Sequence, residues 1–219
     1  MTDRITISAM GDAGLLLDAA QGAFDDAIQA RLHAMAATLR GTGGITETVP
    51  GMNNLMIRVA PDRLPPDRAE ALLRDLWASA TPQPQAGRLI EIPVIYAGRR
   101  AEDFDAWAQE AGLTADAAIA AHSGATYSVA AVGAMPGFGY LSGLDPRLAR
   151  PRRKSPRASV PAGAVIIGGA QAGVMPITAP SGWHIIGMTD VPLFDPAADP
   201  PCLFAPGDRV RFTVAGIAR

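Results

Sequence analysis

Between Ala158 and Thr189 the chain runs 32 residues without a formal charge, and this stretch restricts the fold more than any other. It is long enough to cross a bilayer as a helix. Pro161, Pro176, Pro180 and six glycines interrupt it, however, and a span in lipid must pair every backbone polar group internally, so a membrane helix is excluded. The apolar residues come instead in short runs, Val165 to Ile167 and Ile185-Ile186, separated by glycine and proline. The same texture begins upstream at Val129 to Val132 and Val160. Such spacing predicts a small β-barrel or sandwich.

The first 85 or so residues read differently. Ile5, Ile7 and Ala9 alternate as a strand, Gly11-Asp12 turns, and Gly14 to Asp18 forms a second apolar run. Phe24, Ala27, Ile28, Leu32, Met35 and Leu39 recur at helical spacing, and Gly41, Gly43 and Gly44 close that helix. Ile45 to Val49 and Leu55 to Val59 predict a hairpin around Pro50-Gly51, and Pro66 to Ala78 a second helix. Thr81-Pro82-Gln83-Pro84-Gln85-Ala86-Gly87 is the best linker in the chain. Beyond it, Leu89 to Val94 reads as a strand, followed by helices over Ala101 to Ala111 and Ala115 to Ala121, the latter capped by Thr114. The fold class is therefore α+β, with a small N-terminal α+β domain at 1–87 and a β-rich domain at 88–219.

Charge narrows the function. A net charge of −2 argues against a general nucleic-acid binder. The only cysteine, Cys202, cannot close a disulfide within the chain, and no apolar leader occurs in Met1 to Ala20, so a cytoplasmic protein is expected. Against this background, Pro146 to Thr189 holds no Asp or Glu, yet opens with Arg147, Arg150, Arg152, Arg153, Lys154 and Arg157. Guanidinium forks suit carboxylates and phosphates, and Pro151, Pro156 and Pro161 stiffen their presentation. Two readings stay open: a site for a small anion, or a belt of ion pairs to acidic residues elsewhere. Aromatic residues are missing from the cluster, which disfavours a nucleic-acid arm.

Other signals are weaker. Gly137-Phe138-Gly139-Tyr140-Leu141-Ser142-Gly143 is one residue off the dinucleotide fingerprint and lacks its strand–helix context, so it reads as a rigid loop presenting two aromatic rings. Lys154, the sole lysine, does not follow the glycine pattern of a P-loop. His33, His122 and His184 have no metal spacing, and no metal is expected. His122 ends a helix before Ser123-Gly124, where the helix dipole favours its protonated form; it reads as an acid, base or anion contact, or as a cap. Ser123 lacks the flanks of a nucleophile elbow. Trp183 lines a pocket or fills the core.

Several of these segments resemble the KipI / allophanate-hydrolase-subunit-1 family: Gly137-Phe138-Gly139-Tyr140-Leu141, Pro151-Arg152, Ser155-Pro156-Arg157, Val160-Pro161-Ala162-Gly163 and Gly182-Trp183. The resemblance extends back through Tyr127, His122, Ile92-Pro93-Val94 and Gly11-Asp12, and forward to Pro206-Gly207-Asp208. It implies a cyclophilin-like β-barrel at the C-terminal end. It implies the B subunit of an ATP-dependent 5-oxoprolinase, a hydrolase of cyclic amide C–N bonds acting with a C subunit and, transiently, an A subunit. ATP would be used by the complex, and this chain carries no biotin-attachment motif. Relatives in other roles are an inhibitor of a histidine kinase and parts of urea carboxylase and allophanate hydrolase. On this resemblance His122, Tyr140, Arg152 and Arg157 are the expected catalytic residues. Gly137, Phe138, Arg152, Arg157 and Trp183 would bind a small anionic substrate. The chain departs from the family pattern at Ala134, Met175, Ser181 and Met188, where phenylalanine, tyrosine, glycine and arginine are usual. Ala101-Glu102-Asp103-Phe104 stands in place of a usual Gly-Pro-Asp-Leu.

Overall fold

Gly11, with φ of 70°, makes the tight turn that folds β1 (Thr6–Met10) back on β2 (Gly14–Asp18). The computed structural model describes residues 4–81 and 87–218. Its contacts separate two units, Met1–Ala86 and Gly87–Arg219. Residues 82–86, most of the expected linker, lie outside the described part.

In the first unit α1 (Asp26–Leu39) starts two residues later than its apolar period suggests, because Asp25 takes the cap position and accepts from the backbone N–H of Ala27 and Ile28. The hairpin of β3 (Ile45–Pro50) and β4 (Asn54–Val59) follows, then α2 (Pro66–Ser79). The antiparallel sheet has the order β1-β2-β4-β3. Alternate residues Leu15, Leu17, Leu55 and Ile57 face Leu32, Met35, Leu39 and Leu73 of the helices in one buried core.

The second unit opens with β5 (Leu89–Tyr96), whose even-numbered residues point inward, and α3 (Phe104–Glu110) and α4 (Ala115–Ser123) follow. Strands β6 (Tyr127–Val132) and β7 (Gly139–Ser142) precede a 3₁₀ turn at Pro146–Leu148. Next come β8 (Arg157–Val160), β9 (Ala164–Gly168), β10 (Gln171–Val174), β11 (Ala179–Ser181), β12 (His184–Met188) and β13 (Arg209–Ile217). Seven of them close a barrel in the order β10-β7-β6-β13-β5-β12-β9, with β8 and β11 paired as a separate ribbon. Only the β13–β5 pair of the barrel is parallel. The apolar runs at Val129 to Val132, Val165 to Ile167 and Ile185-Ile186 thus do enter a closed barrel, whereas Val160 lies in the separate ribbon. No described helix is long and apolar enough to cross a membrane.

Strand β9 is buried on both faces, which explains its unbroken Ala-Val-Ile-Ile sequence. Val165 and Ile167 join the interior cluster with Val94, Tyr127 and Phe212. Ile166 points the other way, into a second cluster with Phe138, Met175, Trp183 and Ile185. That outer cluster forms the floor of the candidate site.

Candidate functional site

On this outer cluster lies a pocket of about 270 Å³, lined among others by Met135, Phe138, Tyr140, Arg152, Met175 and Trp183. Its aromatic floor is built by close approach. Phe138, Tyr140 and Trp183 meet edge to face, with ring centroids 4.9, 5.8 and 6.1 Å apart. Gly168 makes room for Trp183, since a Cβ there would strike the indole. Gly173 does the same for Phe138, whose Cζ would lie 3.0 Å from an added Cβ. Phe138 and Trp183 are buried, whereas Tyr140 is half-buried at the pocket wall.

Over the Trp183 ring stands Arg152, its guanidinium carbon 5.7 Å from the centroid. Among the described residues four of the six clustered cations are ion-paired: Arg147 to Asp145, Arg150 to Glu110, and Arg153 and Arg157 to Asp103. Arg152 makes no ion pair and lines the pocket; Lys154 makes none and does not. The ion-pair reading of the basic segment thus describes four of its cations. The belt engages Arg147, Arg150, Arg153 and Arg157, whereas Arg152 faces the pocket over the Trp183 ring.

Asp103 was not singled out by sequence reasoning, and it organises this belt. Its Oδ1 accepts from Arg153 Nη1 at 2.9 Å and Arg157 Nη2 at 2.9 Å. Its Oδ2 accepts from Arg157 Nη1 at 2.8 Å and the Ile185 N–H at 2.7 Å. Burial pushes this carboxyl up, but the bonds from Arg157 and Ile185 and the charges of Arg157 and Arg153 outweigh burial and hold it below the ordinary carboxylate value. Arg157 is raised in turn, chiefly by its bond to Asp103. Helix α3 begins at Phe104 rather than at Ala101, and Asp103 at its cap position makes no side-chain cap bond because its carboxylate is taken by Arg153, Arg157 and Ile185. The available signal was the carboxylate-free segment itself, whose cations had to find their partners elsewhere in the chain.

The remaining expected residues sit as follows. Gly137 is buried outside the pocket lining, with φ of 80° and no room for a Cβ against the Leu193 carbonyl, so its part is to turn the loop. Arg157 is spent on Asp103 and on Glu102, 3.1 Å away, and does not line the pocket. His122 is fully buried in the interior cluster, away from the pocket lining. Its ring stacks on Phe212 at 4.5 Å, meets Tyr96, Trp107 and Tyr127, and its Nδ1 lies 2.8 Å from the Tyr96 hydroxyl. The helix-dipole expectation fails here because burial dominates: it pushes the imidazole down to about pKa 3 and keeps it neutral. Nor does the His122 side chain cap α4, which closes through the Gly124 N–H on the Ala120 carbonyl. His122 is thus brought neither to Arg152 nor to Tyr140.

A family model for the carboxyltransferase domain, subdomain C and D, matches residues 5–204. The chain belongs to that family. Within it, the chain is 43% identical over 187 residues to the 5-oxoprolinase B subunit of Escherichia coli O157:H7, covering 85% of each protein. It is 34% identical over 225 residues to the 5-oxoprolinase B subunit of Bacillus subtilis strain 168, covering 97% of this chain and 93% of that one. Among solved structures, TTHA0988 superposes with a TM-score of 0.79 at 36% identity, over 94% of this chain and 40% of its own longer chain. The Kluyveromyces lactis urea amidolyase, at 18% identity, shares the fold with a TM-score of 0.78 over 97% of this chain and 15% of its own. Three of the departures from the family pattern, Ala134, Met175 and Ser181, line the pocket described above.

Proposed function

We propose that this carboxyltransferase-family chain is the B subunit of a 5-oxoprolinase, a hydrolase that opens the cyclic amide of 5-oxoproline to give glutamate. The observation that carries the proposal is the 34–43% identity to proteins of that name over 85–97% of the chain. The pocket supplies a chemical reason to accept it. The substrate is a flat ring bearing one carboxylate, and the pocket pairs one guanidinium free of ion pairs with an aromatic floor.

In this reading the Arg152 fork holds the substrate carboxylate, a charge-assisted contact that also orients the ring. Trp183 and Phe138 give the ring an apolar surface and exclude water from one face. Tyr140 stands at the wall, where its hydroxyl can donate to the lactam oxygen. The reaction draws on ATP, and the pocket's cations do not suit a triphosphate: of Arg152 and Arg153, the latter is already held by Asp103. No step of the nucleotide chemistry is therefore assigned to this chain. It works in the cytoplasm in a hetero-oligomer with a C subunit and, transiently, an A subunit, and these supply what it lacks.

Omission reconstitution tests the proposal. The chain, a C subunit and an A subunit are mixed with 5-oxoproline and ATP, and glutamate is measured. Glutamate forms from the full mixture and not when this chain, either partner or ATP is left out. Turnover that persists without this chain removes it from the enzyme.

A further inference from the structure

Arg152 lies in a segment held on both sides. Arg150 and Gly169 exchange two backbone bonds of 3.0 and 2.6 Å, and the Pro151 carbonyl accepts from His184 Nε2 at 2.8 Å. On the other side the Arg153 N–H donates to the Gly182 carbonyl at 2.7 Å, next to Trp183. Asp103 completes this frame. With 7% of its surface exposed, it accepts four hydrogen bonds, which fills the capacity of a carboxylate. Three of those bonds fix the side chains of Arg153, next to Arg152, and Arg157, five residues after it. The fourth grips Ile185, two residues beyond Trp183. Its own N–H donates to the Ile185 carbonyl at 3.1 Å, so both strands of this attachment end on β12.

We infer that Asp103 is a positioning residue: it fixes the loop carrying Arg152 against the start of β12, which Trp183 immediately precedes, and so sets the spacing of guanidinium and indole that receives the substrate. This rests on the reading of the pocket as the 5-oxoproline site. Positioning and simple electrostatics make opposite predictions. Removing a negative charge beside an anion site would by charge alone strengthen binding, whereas loosening the Arg152–Trp183 pair weakens it.

The test uses the reconstituted complex. Asp103→Asn is expected to raise the KM for 5-oxoproline about tenfold to a hundredfold, the scale of a misplacement near 1 Å, and to add nothing in an Arg152→Met background. A second readout does not involve substrate: the Trp183 indole N–H signal in ¹H–¹⁵N spectra, assigned by its loss in Trp183→Phe. In Asp103→Asn this signal moves toward its position in Arg152→Met. Where Asp103→Asn is too unstable to assemble, Arg157→Gln loosens the same clamp from the opposite side and is read in the same two ways. A KM that falls or stays, with an unmoved indole signal, overturns the positioning role. A moved signal in a complex that never acts on 5-oxoproline overturns the functional reading instead, and leaves the positioning role standing.

Discussion

Lowering the pH from 7 to 5 should destabilise the barrel unit through His122. Its imidazole titrates at about 3 in the folded chain against an ordinary value of 6.5, with burial as the cause. Between these two values the unfolded chain binds a proton that the folded one refuses. Stability is therefore fully present above pH 6.5 and declines as the pH falls toward 3. At about 1.4 kcal/mol per pH unit, and allowing for partial protonation near 6.5, the loss between pH 7 and pH 5 comes to about 2 kcal/mol. Asp103, the other buried group held low, titrates from an ordinary value of 3.8 and contributes only at more acid pH. The assay is amide hydrogen exchange at β6 and β13, which reports the barrel unit by itself, in the wild type and in His122→Asn. The asparagine retains an acceptor near the Tyr96 hydroxyl but cannot titrate. The variant starts from a lower stability, because it leaves a gap among the rings of Phe212, Trp107 and Tyr127. Its curve should nevertheless be flatter than that of the wild type by the same 2 kcal/mol or so over this interval. Parallel curves would refute the claim that His122 is a buried, neutral core residue.

Arg152→Ala should lower kcat/KM for 5-oxoproline about thirtyfold to several thousandfold without moving the melting temperature, the cost of a lost charge-assisted substrate contact; steady-state kinetics of the complex decide it. Gly168→Ala would drive a methyl into the Trp183 indole and should cost about 1–3 kcal/mol in urea unfolding, with weaker substrate binding. Asp208, 4% exposed, accepts from the N–H groups of Arg88 and Ala205 and from the Arg88 side chain, so Asp208→Ala should destabilise the barrel by about 2–4 kcal/mol in the same experiment. Thr114→Ala removes the hydroxyl that accepts from the Ala117 N–H and should cost about 1 kcal/mol.

Local patterns carried most of the architecture. The apolar runs of Gly14 to Asp18 and Leu55 to Val59, the helical period of Leu32 to Leu39, and the glycine- and proline-punctuated runs after Val129 all express nearest-neighbour geometry, and all form as expected. The aromatic pocket was partly legible too, because Phe138 and Tyr140 share one short loop and strand. Contacts between distant segments were not. Asp103 lies 50 residues before Arg153 and 54 before Arg157, so nothing local distinguishes the two bound arginines from the free one beside them. His122 met the same difficulty. Its helix end is visible in sequence, but the rings that desolvate it arrive from β5, α3, β6 and β13 and outweigh the dipole.

The location of 5-oxoproline in the assembled enzyme tests the central claim most directly. A crystal structure of the complex with the substrate bound should show its carboxylate on the Arg152 guanidinium at about 3 Å and its ring against Trp183. Substrate held only by residues of the other subunits, with this pocket empty, would contradict the account.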